Sequence, residues 1–197
     1  MALRNIVTQE DKILSKVCKP VTKFGPRLHL LLDDMADTLK KANGVGLAAP
    51  QVGILRRTVI VLETNVEEGE EEFIIELINP EITEASGEQI GAEGCLSVPG
   101  EYGVVRRPDH VKVVAQDRDG NWIEYEGVGL TARCICHELD HLDGHLFTEK
   151  AERMLTEEEI NASLEAEPGE KPEETPAAEE EAATEAVPTE DQPEEEN

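Results

Sequence analysis

The sequence predicts an α+β domain in which mixed or antiparallel strands pack around a central metal-binding helix. Three observations lead there. Valine- and isoleucine-rich runs of strand length occupy the middle of the chain. One later segment, HELDHLDG at 137–144, places two histidines four residues apart, the spacing that aligns side chains on a helix face. There is also no strand–GxGxxG–helix unit, because the G-V-G at 44–46 follows a predicted helix, and this argues against a dinucleotide site.

The elements follow in order. After an irregular arm, Pro26 suits the first helical position, where its missing N–H goes unneeded. Leu28, Leu31, Leu32, Met35, Leu39 and Ala42 recur on one face of a helix to about residue 41, and Asn43-Gly44 supplies the stop. GVGLAAPQVG (44–53) is too small and glycine-rich for a regular element. TVIVLE (58–63) and FIIELINP (73–80) read as strands, with EEGEEE (67–72) a solvated loop between them. EGCLSVP (93–99) reads as irregular, bounded by glycines and Pro99. HVKVVAQD (110–117) and WIEYEG (122–127) flank an R-D-G-N turn and form a predicted hairpin. A helix then runs from near Leu130 to Asp143-Gly144. Thr156 with Glu159 makes a capping box for a last short helix, the only structure expected beyond Lys150.

The chain of 197 residues carries a net charge of −26, unevenly spread. From Thr156 onward there are 17 acidic residues against one basic residue, Lys171, a local balance of −16 that leaves −10 for residues 1–155. After Leu164 the only larger aliphatic is Val187, too little apolar surface to offset ordering entropy. The expected organisation is a catalytic domain over 1–155, a short capped helix over 156–166 and a disordered acidic tail over 167–197. Such a tail is repelled from RNA, so direct nucleic-acid binding is not expected. No apolar run approaches membrane-spanning length, and the opening residues lack the apolar core of a secretory signal. The four cysteines, Cys18, Cys95, Cys134 and Cys136, are too sparse for a disulfide framework. The expectation is a cytoplasmic protein with free thiols, and a monomer.

His137 and His141 can present imidazoles to one ion, and Glu138, rotated about 100° from His137, can act on water beside that ion without ligating it. A third ligand is missing from these residues. The metzincin pattern HExxHxxGxxH fails because Phe147 occupies its last position, while His145 comes two residues early and beyond Gly144. Glu157, Glu158 and Glu159 stand about where a thermolysin-like site would draw a carboxylate. Cys134 shares the His137 face, and Cys136 points about 200° away from Cys134. Cys95 lies upstream, where glycines let backbone approach an ion. Spacing alone leaves these choices open.

EGCLS at 93–97, GVGLAAPQ at 44–51 and HELDHLDG at 137–144 together resemble the peptide deformylase family, whose three motifs occur in this order; the spelling resembles the bacterial type-1 branch. The resemblance covers roughly residues 5–155. It implies that Cys95, His137 and His141 hold one divalent ion, Fe2+ by expectation, with Zn2+, Ni2+ or Co2+ as substitutes. It implies Glu138 as the proton-transfer group, with the Gln51 amide and the Leu96 backbone N–H as donors to the developing oxyanion. Gly44, Val45 and Gly46 would meet an extended substrate, and Leu130 and Cys134 would wall its methionine pocket. Glu93 would support the site by pairing with a downstream arginine, Arg107 in preference to Arg106. The implied substrates are N-formylmethionyl nascent peptides, met in transient proximity to the ribosome, and the implied product is formate. Two other classes compete: an HExxH metallopeptidase, opposed by the EGCLS cysteine, and a catalytically inactive interaction protein, opposed by the retention of every motif residue.

Overall fold

The structure, a computed structural model, describes residues 2–66 and 69–165; the expected acidic tail lies outside the described residues. Helix α1 (Pro26–Ala42) starts with proline in its first turn and ends where Asn43, at φ 51°, returns its N–H to Leu39 and Lys40 carbonyls. Its buried face holds Leu28, Leu31, Leu32, Met35 and Leu39, as the periodicity predicts, with Ala42 only half-buried. Asp34 is buried on this helix as well, because the N-terminal arm folds over it: the Ala2 N–H donates to Oδ1 at 2.8 Å and Arg4 to Oδ2 at 3.0 Å.

The strands are β1 (Gly46–Ala48), β2 (Thr58–Glu63), β3 (Phe73–Ser86), β4 (Gln89–Cys95), β5 (Val98–Arg107), β6 (His110–Gln116), β7 (Trp122–Val128) and β8 (Arg153–Met154). They form two antiparallel sheets, ordered β1-β2-β3-β6-β7 and β4-β5-β8. The run in β2 is apolar on both faces because both faces are covered. Val59 and Val61 join Ile75, Leu77, Val111 and Val113 in one core, while Ile60 points the other way, to Leu32, Met35 and Leu39 of α1. Period-two alternation therefore divides one strand between two cores.

Three expectations are corrected. Residues 44–53 contain regular pieces, β1 and a 3-10 turn over Ala49–Val52. EGCLSVP is not irregular: Cys95 ends β4 and Val98 begins β5, with a register shift after Gly94 where the hairpin turns. Beyond Lys150 there is a strand as well as a helix, since β8 pairs with β5. The hairpin escaped notice because its alternation is not written in apolar residues; Gly94, for example, leaves room for the Tyr102 ring, which a Cβ would approach to 2.6 Å.

Helix α2 (Leu130–Asp143) touches β1, β2 and β7 of the larger sheet and β5 of the smaller one. Its residues Thr131–Leu139, with His141 and Leu142, are buried, so it functions as a core element. Gly144 ends it at φ 83°, returning its N–H to Asp140 and His141 carbonyls, the left-handed cap that glycine adopts without strain. A Cβ there would also meet the Ser15 backbone at 2.8 Å. Helix α3 (Glu157–Glu165) follows Thr156, whose N–H donates to Glu159 Oε2 at 2.9 Å while the Glu159 N–H donates to Thr156 Oγ1 at 3.3 Å. No helix among the described residues is long and apolar enough to cross a membrane.

Candidate active site

Two elements deliver the chemistry. The end of β4 presents Cys95 and α2 presents His137 and His141 one turn apart. The ligand atoms of these three residues lie within 4.8 Å of one another, the one group of three such residues among those described. Cys95 Sγ is 3.2 Å from His141 Nε2. The two imidazoles meet edge to face with centroids 5.1 Å apart. His145 lies apart from the cluster, with Nδ1 2.8 Å from Glu149, and Glu159 bonds Arg153 at 3.0 Å.

The donor set fits a divalent transition ion. One thiol and two imidazoles match Fe2+, Co2+, Ni2+ or Zn2+, and they lack the oxygens that Mg2+ or Ca2+ require. His137 is also braced as a ligand should be: Nδ1 sits 3.0 Å from Glu93 Oε2, which leaves Nε2 as the nitrogen free of Glu93. Burial pushes His141 down to about 3, keeping it neutral and ready to ligate. Burial works the same way on His137, but hydrogen bonds with Cys95 and Glu93 outweigh it and lift the ring to about 10. Metal binding there competes with a proton.

Glu93 lies at the centre of a buried charge network. Arg107 grips it with two bonds of 2.9 Å, from Nε to Oε1 and from Nη2 to Oε2, and Arg133 Nη1 donates to Oε1 at 2.9 Å. Arg107 also donates to Asp140 Oδ2 at 2.7 Å, and Asp140 receives Lys150 at 2.6 Å. Burial would raise the Glu93 carboxyl, yet the hydrogen bonds from Arg107 and His137 hold it down at about 2. Arg106 faces outward, to Glu88 and Glu152.

Glu138 has the opposite surroundings. It is 3% exposed, and its Oε2 has no hydrogen-bond partner among the described residues. Burial pushes its carboxyl up to about 7, against the smaller pull of His137. Gly46 faces it so closely that a Cβ would fall 2.4 Å from Oε1 and 2.5 Å from Cys134 Sγ, so any side chain there would displace both groups. Gln51 is buried in the 3-10 turn. Its Oε1 accepts the Ala48 N–H at 2.8 Å, and its Nε2 donates to Ser97 Oγ at 3.2 Å and toward Cys95 Sγ at 3.5 Å. That orientation leaves the amide nitrogen as the donor facing the cysteine.

A cavity of about 410 Å³ opens over these groups, lined by Gly44, Val45, Gly46, Gln51, Cys95, Leu96, Leu130, Cys134, His137 and Glu138 among others. Every residue expected at the site therefore borders the cavity except His141 and Arg107, which lie beneath it in the cluster and the charge network. Leu130 and Val45 are exposed at its mouth, whereas Cys134 is buried with Sγ 3.3 Å from the Val45 carbonyl. Sequence reasoning overlooked Arg133, Ser97 and Asp140. Arg133 did carry a signal: it precedes His137 by four residues, a cation on an otherwise buried helix face.

A family model described as Polypeptide deformylase matches residues 3–157. The peptide deformylase of Agathobacter rectalis is 56% identical over 155 residues, covering 79% of this chain and 94% of the relative. That of Caldicellulosiruptor bescii is 55% identical over 160 residues, covering 81% and 92%. Among solved structures, a class I type b peptide deformylase from Acinetobacter baumannii with Met-Ala-Ser bound is 37% identical at a TM-score of 0.70, covering 76% of this chain and 99% of that one. The peptide deformylase of Thermotoga maritima is likewise 37% identical at 0.70, covering 77% and 99%.

Proposed function

The chain belongs to the polypeptide deformylase family and is a hydrolase that removes the N-formyl group from newly synthesised peptides, and we propose that it does so with the residues around Cys95, His137 and His141. The observation that carries this assignment is the thiol–imidazole cluster with, beside it, the buried carboxyl of Glu138, whose Oε2 has no partner among the described residues. Cys95, His137 and His141 would hold a single divalent ion, Fe2+ by preference, with Zn2+, Ni2+ or Co2+ as substitutes. When bound, such an ion supplies Lewis acidity, acidifying water and polarising a carbonyl.

The chain's own groups do the rest. Glu138 takes a proton from water as the water oxygen adds to the formyl carbon, a transfer favoured by a carboxyl poised near neutrality. The formyl oxygen gains charge, and the Gln51 Nε2–H and Leu96 backbone N–H donate to it. Glu138 then passes the proton to the nitrogen of methionine as the C–N bond breaks, releasing formate and a free amino terminus. Gly44, Val45 and Gly46 align the extended peptide backbone, while Leu130 and Cys134 wall the methionine side chain. Glu93, held by Arg107, fixes the tautomer and orientation of His137. The Acinetobacter baumannii relative with Met-Ala-Ser bound supports methionine in this cavity.

The physiological substrates on this reading are N-formylmethionyl nascent chains met near the ribosome in the cytoplasm, with the enzyme a monomer built from residues 1–155 and its acidic tail dispensable. The test is formate release from formyl-Met-Ala-Ser by anaerobically prepared protein, alongside an unformylated peptide. Formate without peptide cleavage is expected; cleavage without formate would replace this reading with a metallopeptidase.

A further inference from the structure

Residues 2–8 form no regular element, yet the arm they belong to is tied down at both ends. Upstream, the Arg4 N–H donates to Thr38 Oγ1 at 3.0 Å and its guanidinium to Asp34 at 3.0 Å, both on α1. Downstream, the Val7 N–H donates to the Gln51 carbonyl at 2.9 Å and the Gln9 N–H to the Ser97 carbonyl at 2.8 Å. Ile6, beside them, packs on the same core cluster as Leu96. Gln51 stands in the 3-10 turn after β1, in the larger sheet, and Ser97 in the turn between β4 and β5, in the smaller one. Two N–H groups of one short arm thus join the segments that follow β1 and β4.

Those segments carry the proposed oxyanion donors. The Gln51 amide is held by three contacts: Oε1 accepts the Ala48 N–H at 2.8 Å, while Nε2 donates to the buried Ser97 Oγ at 3.2 Å and toward Cys95 Sγ at 3.5 Å. The Ser97 N–H also donates to Cys95 Sγ, at 3.4 Å. Ser97 is therefore where the arm, the amide and the cysteine meet, one residue beyond Leu96. An oxyanion donor acts only at hydrogen-bond distance from the developing charge, and a misplacement of about 1 Å can cost about 10²-fold in rate. We propose that Val7 and Gln9 are positioning residues, whose main-chain N–H groups set the Gln51 amide and the Leu96 N–H relative to one another across the two sheets. The inference rests on the reading that these two groups receive the oxyanion. Because the contacts are main-chain, proline is the substitution that removes them.

The test is formate release from formyl-Met-Ala-Ser at matched metal content. Val7→Pro and Gln9→Pro each delete one of the two N–H groups. Thr8→Pro places the same ring where the N–H has no acceptor among the described residues, and Gln9→Ala keeps the N–H and loses only an exposed side chain. In the first pair kcat is expected to fall about tenfold with KM within about twofold of the parent, and in the second pair both stay near the parent. A purely structural loss would act whether or not the donor is present, so Val7→Pro is repeated in Gln51→Ala. With the amide gone, the further fall in kcat on adding Val7→Pro is expected to shrink to about twofold or less. The proposal is overturned by an undiminished fall in that background, by unchanged kcat in both Val7→Pro and Gln9→Pro, or by an equal fall in Thr8→Pro. Parent-like kcat in Gln51→Ala alone would instead overturn the donor assignment on which it rests.

Discussion

Two glutamates lie close to His137, one near the end of β4 and one next to it on α2, and they are held in opposite states. Glu93 is buried among Arg107, Arg133 and His137, and its carboxyl falls to about 2. Glu138 is equally buried but has one oxygen without a partner among the described residues, and its carboxyl rises to about 7. Burial acts on both in the same direction; the partners decide the outcome. A carboxylate surrounded by donors is a permanent charge that orients a ring, while one left nearly alone can take up and release a proton near neutral pH.

The contrast breaks most sharply at Glu138, the proposed proton-transfer group. Glu138→Gln keeps the shape and is expected to lower kcat by roughly 10²–10⁴-fold while metal content, read by elemental analysis, stays unchanged. Comparable activity at full metal occupancy would remove Glu138 from its role. Gln51→Ala deletes a donor proposed for the oxyanion and should raise the barrier by about 2.7–4 kcal/mol, seen in kcat more than in KM. At the other glutamate, Glu93→Gln leaves Arg107 and Arg133 without their full counter-charge. The expected cost is about 3–5 kcal/mol in denaturant unfolding, with metal affinity, measured by chelator competition, weakened roughly 10–100-fold.

The two carboxyls also predict opposite pH dependences of stability in chelator-treated protein. Glu93 titrates lower folded than unfolded, so its contribution is present above about 4.5 and is lost as pH falls toward about 2. Glu138 titrates higher folded, so the folded state holds the extra proton between about 4.5 and 7 and loses stability as pH rises through that window. Thermal melts of Glu138→Gln against the parent should coincide near pH 4 and favour the variant near pH 8; the reverse order would contradict the buried, unpaired state. The smallest effect is expected from deleting residues 167–197, which should leave kcat/KM on short formyl-peptides unchanged. A large loss would bring the tail into the site.

Much of this was legible before the fold. The apolar spacing of α1, the β6–β7 hairpin and the aligned histidines of α2 depend on residues within a few positions of one another, and local periodicity reports such structure directly. The β4–β5 hairpin was missed because its glycines and charged residues carry no apolar alternation. The choice between Arg106 and Arg107 turned on it: the pleat sends Val105 and Arg107 inward, both at most 5% exposed, and Arg106 outward. A slip of one residue in the pairing of Gln89 with Arg107 would exchange the two arginines.

By itself the sequence determined the α+β class, the helix that carries His137, Glu138 and His141, and, through three motifs, the family. Tertiary structure alone decided how Cys95 meets that helix, which arginine grips Glu93, and that Arg133 joins it there. The physical reason is range. Helical spacing is written within one turn of chain, whereas strand register and the balance of donors around a buried charge are set only when segments about 40 residues apart are packed together.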